Sequence, residues 1–266
     1  MLRDITLGQY YQTDSHLHRL DPRVKIVATL VYIVSLFVVD NFIGYLIAAA
    51  FLLAAIILSK VPPKFIFKGM RAIYFLLLIT MVFNLFLTPG EPLFSFWKIN
   101  VTKEGVKIAV MMGVRLVFLI TGSSIMTLTT TPNQLTDGLE SLMNPLKKLH
   151  VPVHEISMMM SIALRFIPIL MEETDKIMKA QMARGADFET GSLIQRAKSL
   201  IPLLVPLFIS AFRRANDLAM AMEARCYRGG EGRTKMKPLI YHVSDYAAYL
   251  VAAAYLGVMI AVGIIF

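Results

Sequence analysis

The stretch "FIGYLIAAAFLLAAIILS" (Phe42–Ser59) carries no charged side chain. As a helix it rises about 27 Å, close to the ~30 Å of hydrocarbon in a bilayer. Its small residues (Gly44, Ala48, Ala49, Ala50, Ala54 and Ala55) let a neighbouring backbone approach closely. Four more apolar stretches follow the same logic: Ile26–Val39, Ala72–Leu87 with Asn84 as its one amide, Val106–Leu128, and the uncharged Tyr246–Phe266. The composition agrees: 56% of the 266 residues are hydrophobic and 17% charged, where a soluble domain carries about a quarter charged. The pattern predicts an all-α integral membrane protein with about five transmembrane helices.

Charge sets the expected orientation. The Phe42 and Ala72 spans are joined through Lys60, Lys64, Lys68 and Arg71 with no acid, which predicts a cytoplasmic loop. The opposite links, Asp40-Asn41 and Thr88–Gly105, show no such excess. The N-terminus is then cytoplasmic, and "MLRDITLGQYYQTDSHLHRLDPR" lacks the apolar core of a cleaved signal peptide. Three regions follow: 1–128 with four spans, 129–245 as one cytoplasmic or peripheral insertion, and 246–266 as the last span. The net charge of +9 fits a basic cytoplasmic face; no basic run interleaved with aromatics points to nucleic acid. A single cysteine, Cys226, excludes an intrachain disulfide and any CxxC pair.

The insertion is itself apolar. "TTPNQLTDGLESLMNPLKKL" opens with a Thr cap and Pro132 at the first helical position, and Leu135, Leu139, Leu142, Leu146 and Leu149 continue one helix. A second helix carries the stripe Met160, Leu164, Ile167, Met171, Met178 and Met182. A third is apolar from Leu200 to Phe212 and then charged. These two read as rods with an embedded first half, bent by Pro168, Pro202 and Pro206, and a cytoplasmic second half. They end alike, in "AQMARG" (Ala183-Arg184-Gly185) and "AMEARC" (Ala224-Arg225-Cys226). One such triplet reads as a helix stop with an arginine complementing the C-terminal dipole. Two in matching context suggest paired contact points, where a guanidinium bonds carboxylates or carbonyls of a partner with two equivalent pockets.

The chain has no engine of its own. No G-x-x-x-x-G-K-[ST] loop occurs, and "GGEGRTK" (Gly229–Lys235) reads as a flexible turn. No HExxH, G-x-S-x-G or paired-carboxylate arrangement stands out in a span, which sets aside an intramembrane enzyme. A secondary transporter would want inverted repeats and ionisable midplane residues; five spans in unequal blocks offer only Arg115. A mid-span arginine costs about 2.5–3.5 kcal/mol unless paired. Arg115 is therefore expected to face protein, with Asn84 or backbone carbonyls as partners, since no acid lies in another span. Asp21-Pro22-Arg23 reads as a helix start anchoring the first span. His16 and His18, two apart, do not share a helical face for a metal.

"DSHLHRLDPRVK" (Asp14–Lys25), "LRFIP" (Leu164–Pro168, with Arg165) and the twin Ala-Arg endings, in this order along nearly the whole chain, resemble the transmembrane T component of energy-coupling factor transporters, ABC-type importers of vitamins and related micronutrients. The resemblance implies an L-shaped subunit with a cytoplasmic set of three amphipathic coupling helices and no catalytic residue or cofactor of its own. ATP and Mg would be bound by two ABC-type ATPase subunits, docked at Ala183, Arg184, Gly185, Ala224, Arg225 and Cys226. Cys226 stands where the family often has glycine, read here as a tolerated exchange of one small residue for another. A membrane-embedded S component would bind substrate. Flexible methionine side chains suit repacking against different partners, so Met158, Met159 and Met160, with Leu164, Ile167 and Met171, are the expected S-component contacts of a module shared among several S components; a module dedicated to one substrate is the alternative. The resemblance places the protein in a bacterial or archaeal cell membrane.

Overall fold

The computed structural model describes residues 10–70, 73–89, 92–96, 99–188, 192–230 and 236–265. The first nine residues of the polar N-terminus, Arg71, Ala72, Glu91, Lys98, most of the Gly229–Lys235 turn and Phe266 lie outside the described residues. Apart from one short hairpin, every described element is helical. They fall into two compact units, Gly8–Gly138 with Leu239–Phe266, and Leu139–Pro238.

The first unit holds most of the expected spans. Helix α1 (His16–Arg19) precedes α2 (Pro22–Val38), α3 (Phe42–Ser59), α4 (Pro63–Met70) and α5 (Tyr74–Leu87). A hairpin of β1 (Pro92–Phe96) and β2 (Ile99–Thr102) leads into α6 (Lys103–Thr129), and α11 (Val243–Ile265) closes the chain. Helices α3, α6 and α11 are long and apolar enough to cross a bilayer. Helices α2 and α5 are shorter, at 17 and 14 residues. The protein is a multi-pass membrane protein, with exposed apolar side chains along these helices as a lipid-facing surface requires.

Packing at the centre uses aromatic rings against glycine. Tyr32, Leu36, Val39, Ala48, Leu52, Ile125, Tyr255 and Met259 form one buried cluster. Phe51 and Tyr255 stack at 4.2 Å, and the Tyr32 ring lies so close to Gly122 that a Cβ there would sit 2.6 Å from it. Ser35 Oγ donates to Tyr32 O at 2.7 Å and bonds Tyr255 Oη at 2.9 Å, so α2 and α11 share a buried polar contact.

The stretch from Asp14 to Lys25 is a knot of caps. Asp21 caps α2 by accepting from Arg23 N at 2.8 Å, with Pro22 in the first turn. Burial pushes the Asp21 carboxyl up, but hydrogen bonds from Arg23 outweigh this and hold it below its ordinary value. The Arg23 guanidinium lies 3.7 Å from the centre of the Tyr241 ring and donates to Leu239 O at 3.2 Å. Asp245, fully buried, accepts from Asp21 N at 2.9 Å and from His242 N at 2.7 Å. One carboxylate therefore joins the start of α2 to the start of α11. Lys25 Nζ donates to His18 O at 3.1 Å and Thr129 O at 2.9 Å, adding the end of α6. His18 is occupied by Ser15 Oγ and Tyr11 O, at 2.7 and 2.9 Å.

Arg115 corrects the sequence reading in part: an expected backbone carbonyl, Val39 O, accepts from its Nη2 at 3.5 Å, but an acid is also present. Its Nη2 donates to Asp40 Oδ1, its Nε to Tyr45 Oη at 2.9 Å, and its face stands 5.6 Å from the Phe37 ring. Asn84 turns back onto its own helix, donating to Thr80 O at 2.8 Å. The acid was overlooked because Asp40 belongs to a link rather than a span. A long arginine stem reaches the link while its methylenes stay among apolar neighbours.

From Thr131 to Ala224 the chain departs from the sequence reading in three places. Helix α7 (Pro132–Met143) begins with a reciprocal cap between Thr131 and Gln134, but ends at Met143. A 3-10 helix (Asn144–Leu149) follows, because Pro145 interrupts the α-helical hydrogen bonds. Helix α8 (Val153–Ala183) runs unbroken through Pro168 and is itself long and apolar enough to count as a span. The third rod is two helices, α9 (Leu193–Ser199) and α10 (Ile201–Ala224), separated at Leu200 ahead of Pro202.

Candidate functional site

Helices α8 and α10 pack against each other along their lengths in opposite directions. Gln181, near the end of α8, donates to Pro202 O at the start of α10 at 3.3 Å. Midway, Glu173 accepts from Ser210 Oγ at 2.6 Å and from Arg214 Nη2 at 2.7 Å. At the other end, Met158, Ile162 and Phe166 line a common groove with Leu218 and Met222. The two rods form an antiparallel pair, in which the apolar first half of each lies beside the charged second half of the other. The sequence stripe through Met160 and Ile167 is real but faces outward; the α10-facing stripe runs through Met158, Ile162, Phe166 and Glu173, beside it on the helix.

Opposite directions put the two Ala-Arg endings at opposite ends. From Glu173, Arg184 lies eleven residues on, or roughly 16 Å of helix, and Arg225 a similar length the other way. Separation of the two arginines therefore approaches about 35 Å.

Both endings are the same backbone device. After α8, Gly185 N donates to Met182 O and Ala186 N to Gln181 O, each at 3.0 Å. After α10, Cys226 N donates to Glu223 O at 2.8 Å and Tyr227 N to Met222 O at 3.0 Å. These bond pairs define a Schellman cap, with the arginine at the C-cap and the third triplet residue in the left-handed region. Gly185 has φ +86° and Cys226 φ +55°. The repeated small third residue thus reflects backbone conformation, and the substitution at Cys226 is a matter of φ rather than of size.

This separates two expectations. Gly185→Ala should weaken the α8 cap by about 1 kcal/mol, because a Cβ is penalised at positive φ. Cys226→Ala, where a Cβ is already accommodated, should be neutral. Thermal unfolding of the purified protein in detergent reads both, and equal shifts would return the argument to side-chain size.

Ala183, Arg184, Gly185, Ala224, Arg225 and Cys226 are all exposed. Beside Arg225 opens a groove of about 650 Å³, lined in part by Arg165, Phe166, Met222, Tyr227 and Arg228. Arg165, the arginine of the "LRFIP" motif, lines this groove together with Met158, an expected S-component contact. The start of α8 is fixed by Glu140, which accepts from Ser157 Oγ at 3.0 Å and lies 3.3 Å from His154 Nδ1. Gly230 closes over His154, where a Cβ would come within 2.4 Å of the ring. The chain leaving the second cap is thereby held on the start of α8.

Sequence reasoning missed Glu173, Ser210, Arg214 and Arg228. The adjacent pairs Glu172-Glu173 and Arg213-Arg214, each mid-helix in an apolar context, were the available signal. Met159, Met160 and Ile167 are exposed, Leu164 and Met171 half-buried, and Pro168 lies exposed inside α8. On α10 and its N-cap Leu200, the side chains of Leu200, Ile201, Leu204, Val205, Phe208, Ile209 and Phe212 are also exposed. Among the described residues no cluster of three or more potential metal ligands occurs.

Comparison with known proteins places these features. Residues 13–236 match the family described as cobalt transport protein, CbiQ. The energy-coupling factor transporter transmembrane protein EcfT of Clostridium kluyveri is 58% identical over 95% of this chain and 94% of its own. Its counterpart in Thermosediminibacter oceani is 55% identical over 94% of each chain, and that of Bacillus subtilis 46% over 92% and 93%.

Proposed function

The chain belongs to the family of energy-coupling factor transporter transmembrane proteins, T components, and from that membership we propose that it transmits ATP-driven motion of two ATPase subunits to a vitamin-binding S component. The observation that carries this reading is the pair of matching caps presenting Arg184 and Arg225 at opposite ends of one antiparallel helix pair. Two identical exposed tips, roughly 35 Å apart at most, suit a partner with two equivalent pockets. The subunit is non-catalytic: ATP and Mg belong to the partner ATPases. Its N-terminus and residues 129–245 lie on the cytoplasmic side, in keeping with the unopposed lysines before α5.

The S component has a surface to use. The outward face of α8 and the exposed run on α10 form apolar stripes with no partner in their own unit, and larger exposed apolar patches mark partner or membrane contacts. Met159 and Met160 give that surface adaptable thioethers, which suits a module serving several S components. Substituting both by leucine should spare uptake through one S component and impair others; equal uptake through all would remove the shared-surface argument.

Tagged chain purified from native membranes should bring two ATPase chains and a small hydrophobic membrane protein. Recovery of the chain alone, in a detergent that preserves its fold, would count against the reading. Between the tips, Glu173 holds the crossing. Glu173→Gln removes the charge that Arg214 bonds, while an amide oxygen still accepts from Ser210. ATPases should remain bound while uptake per ATP hydrolysed falls several-fold, within the range of mutations along a coupling element.

A further inference from the structure

Among α2, α3, α6 and α11 lies a crevice of about 310 Å³, with α2 forming one wall from Val24 to Tyr32. At one end the stack of Phe51 on Tyr255, 4.2 Å apart, closes α3 against α11. From that stack toward the start of α2 the facing side chains are small: Ala54 and Ala55 on α3, Ala248 and Ala252 on α11. The two helices are thereby parted. Ala54, Leu58 and Val251 line the crevice and are also exposed, so it opens sideways between α3 and α11. Lys25 is the one charged side chain among the described residues that line it, and it is only 6% exposed. Its Nζ spends two N–H on carbonyls, His18 O and Thr129 O, and forms no ion pair among the described residues. The nearby acids are occupied: Asp21 accepts from Arg23, and Asp245 from Asp21 N and His242 N. A third N–H and a full positive charge remain on Lys25.

We propose that this crevice binds one hydrocarbon chain carrying an acidic head, a fatty acid or an anionic phospholipid, with the head at Lys25 and the chain running toward Phe51. An apolar cavity of about 150 Å³ admits benzene; this one has twice that room and a side open to the bilayer. Apolar walls alone select nothing there, because lipid tails are as apolar as the leucines and alanines they touch. Selection comes from charge. A buried ammonium bonded only to carbonyls is stabilised by an opposite charge that bonds it directly, and the third N–H of Lys25 offers that bond to a carboxylate or phosphate oxygen. The bound chain then fills the gap between α3 and α11 that their alanines leave.

Photolabelling of the full chain in phosphatidylcholine nanodiscs tests this. Three probes share one chain with a mid-chain diazirine: the fatty acid, the fatty alcohol, and phosphatidylglycerol esterified with that chain. Adducts are mapped by mass spectrometry. At least one acidic probe should label Ala54, Ala55 and Val251 about fivefold or more above the alcohol, and the stronger of the two identifies the source of the acid. Ala55→Phe, which fills the crevice from α3, should remove that labelling and leave adducts at exposed Leu46 and Leu53 unchanged. Lys25→Gln should erase the preference for acid over alcohol while the chain still enters; if that variant does not fold, the wild-type comparison of acid with alcohol decides. Equal labelling by acid and alcohol, crevice adducts no denser than those at Leu46, or crevice adducts that survive Ala55→Phe would overturn the proposal.

Discussion

Replacing both Arg184 and Arg225 by alanine is expected to abolish ATP-driven uptake while leaving the chain folded and in the membrane. Neither side chain is used internally: both are exposed, and the caps on which they sit are made by backbone groups of residues 181–186 and 221–227. Alanine at a C-cap preserves those bonds, so the cost falls on the partner contact. Truncating one member of a buried, hydrogen-bonded charge pair across an interface costs about 2–5 kcal/mol, or thirty- to several-thousandfold in affinity. Each single variant should therefore weaken ATPase co-purification at its own end, and the double variant should release both. Uptake in proteoliposomes, alongside circular dichroism of the same preparation, separates lost docking from lost fold. Wild-type uptake by the double variant would defeat the mechanism.

Removing Asp245 should produce the largest loss of stability. Its two carboxylate oxygens accept from the backbone of Asp21 and of His242, at the N-termini of the first long helix and the last. Asp245→Ala leaves both donors without their acceptor at a fully buried position. Each buried unsatisfied donor costs about 1–3 kcal/mol, so the sum for the two is roughly 2–6 kcal/mol. Asp245→Asn keeps one acceptor and turns an amide N–H toward the other donor, and should retain about half of that. Thermal unfolding in detergent should rank wild type above Asn above Ala, with the yield of monodisperse protein following the same order. An unchanged midpoint for the alanine variant would show that water or lipid headgroups satisfy these donors equally well.

The membrane helices were legible because hydropathy is summed over many residues; Phe42–Ser59 emerged with its boundaries intact. The twin arginines were legible as a repeated motif, though the reason for the small third residue was not. Positive φ at Gly185 and Cys226 is a backbone property that composition does not display. Helix breaks at Met143 and Leu200 follow from Pro145 and Pro202, whose effect the continuous apolar periodicity masks in the sequence. Partners separated by long stretches of chain were the least visible. Nothing near Arg115 announces Asp40, and nothing near Asp21 announces Asp245, because each pairing exists only once distant helices pack. The direction of α10 relative to α8 belongs to the same class. Period and polarity reveal a face, never which way its neighbour runs.

Two stiff members that touch near both ends and share the Glu173 contact midway cannot slide past each other freely, so a push on either one is passed to its neighbour along the overlap. The Arg225 tip and the beginning of α8 are neighbouring ends of that overlap, and so are the Arg184 tip and the beginning of α10. Whatever grips either tip thereby works against the opposite member as well as its own.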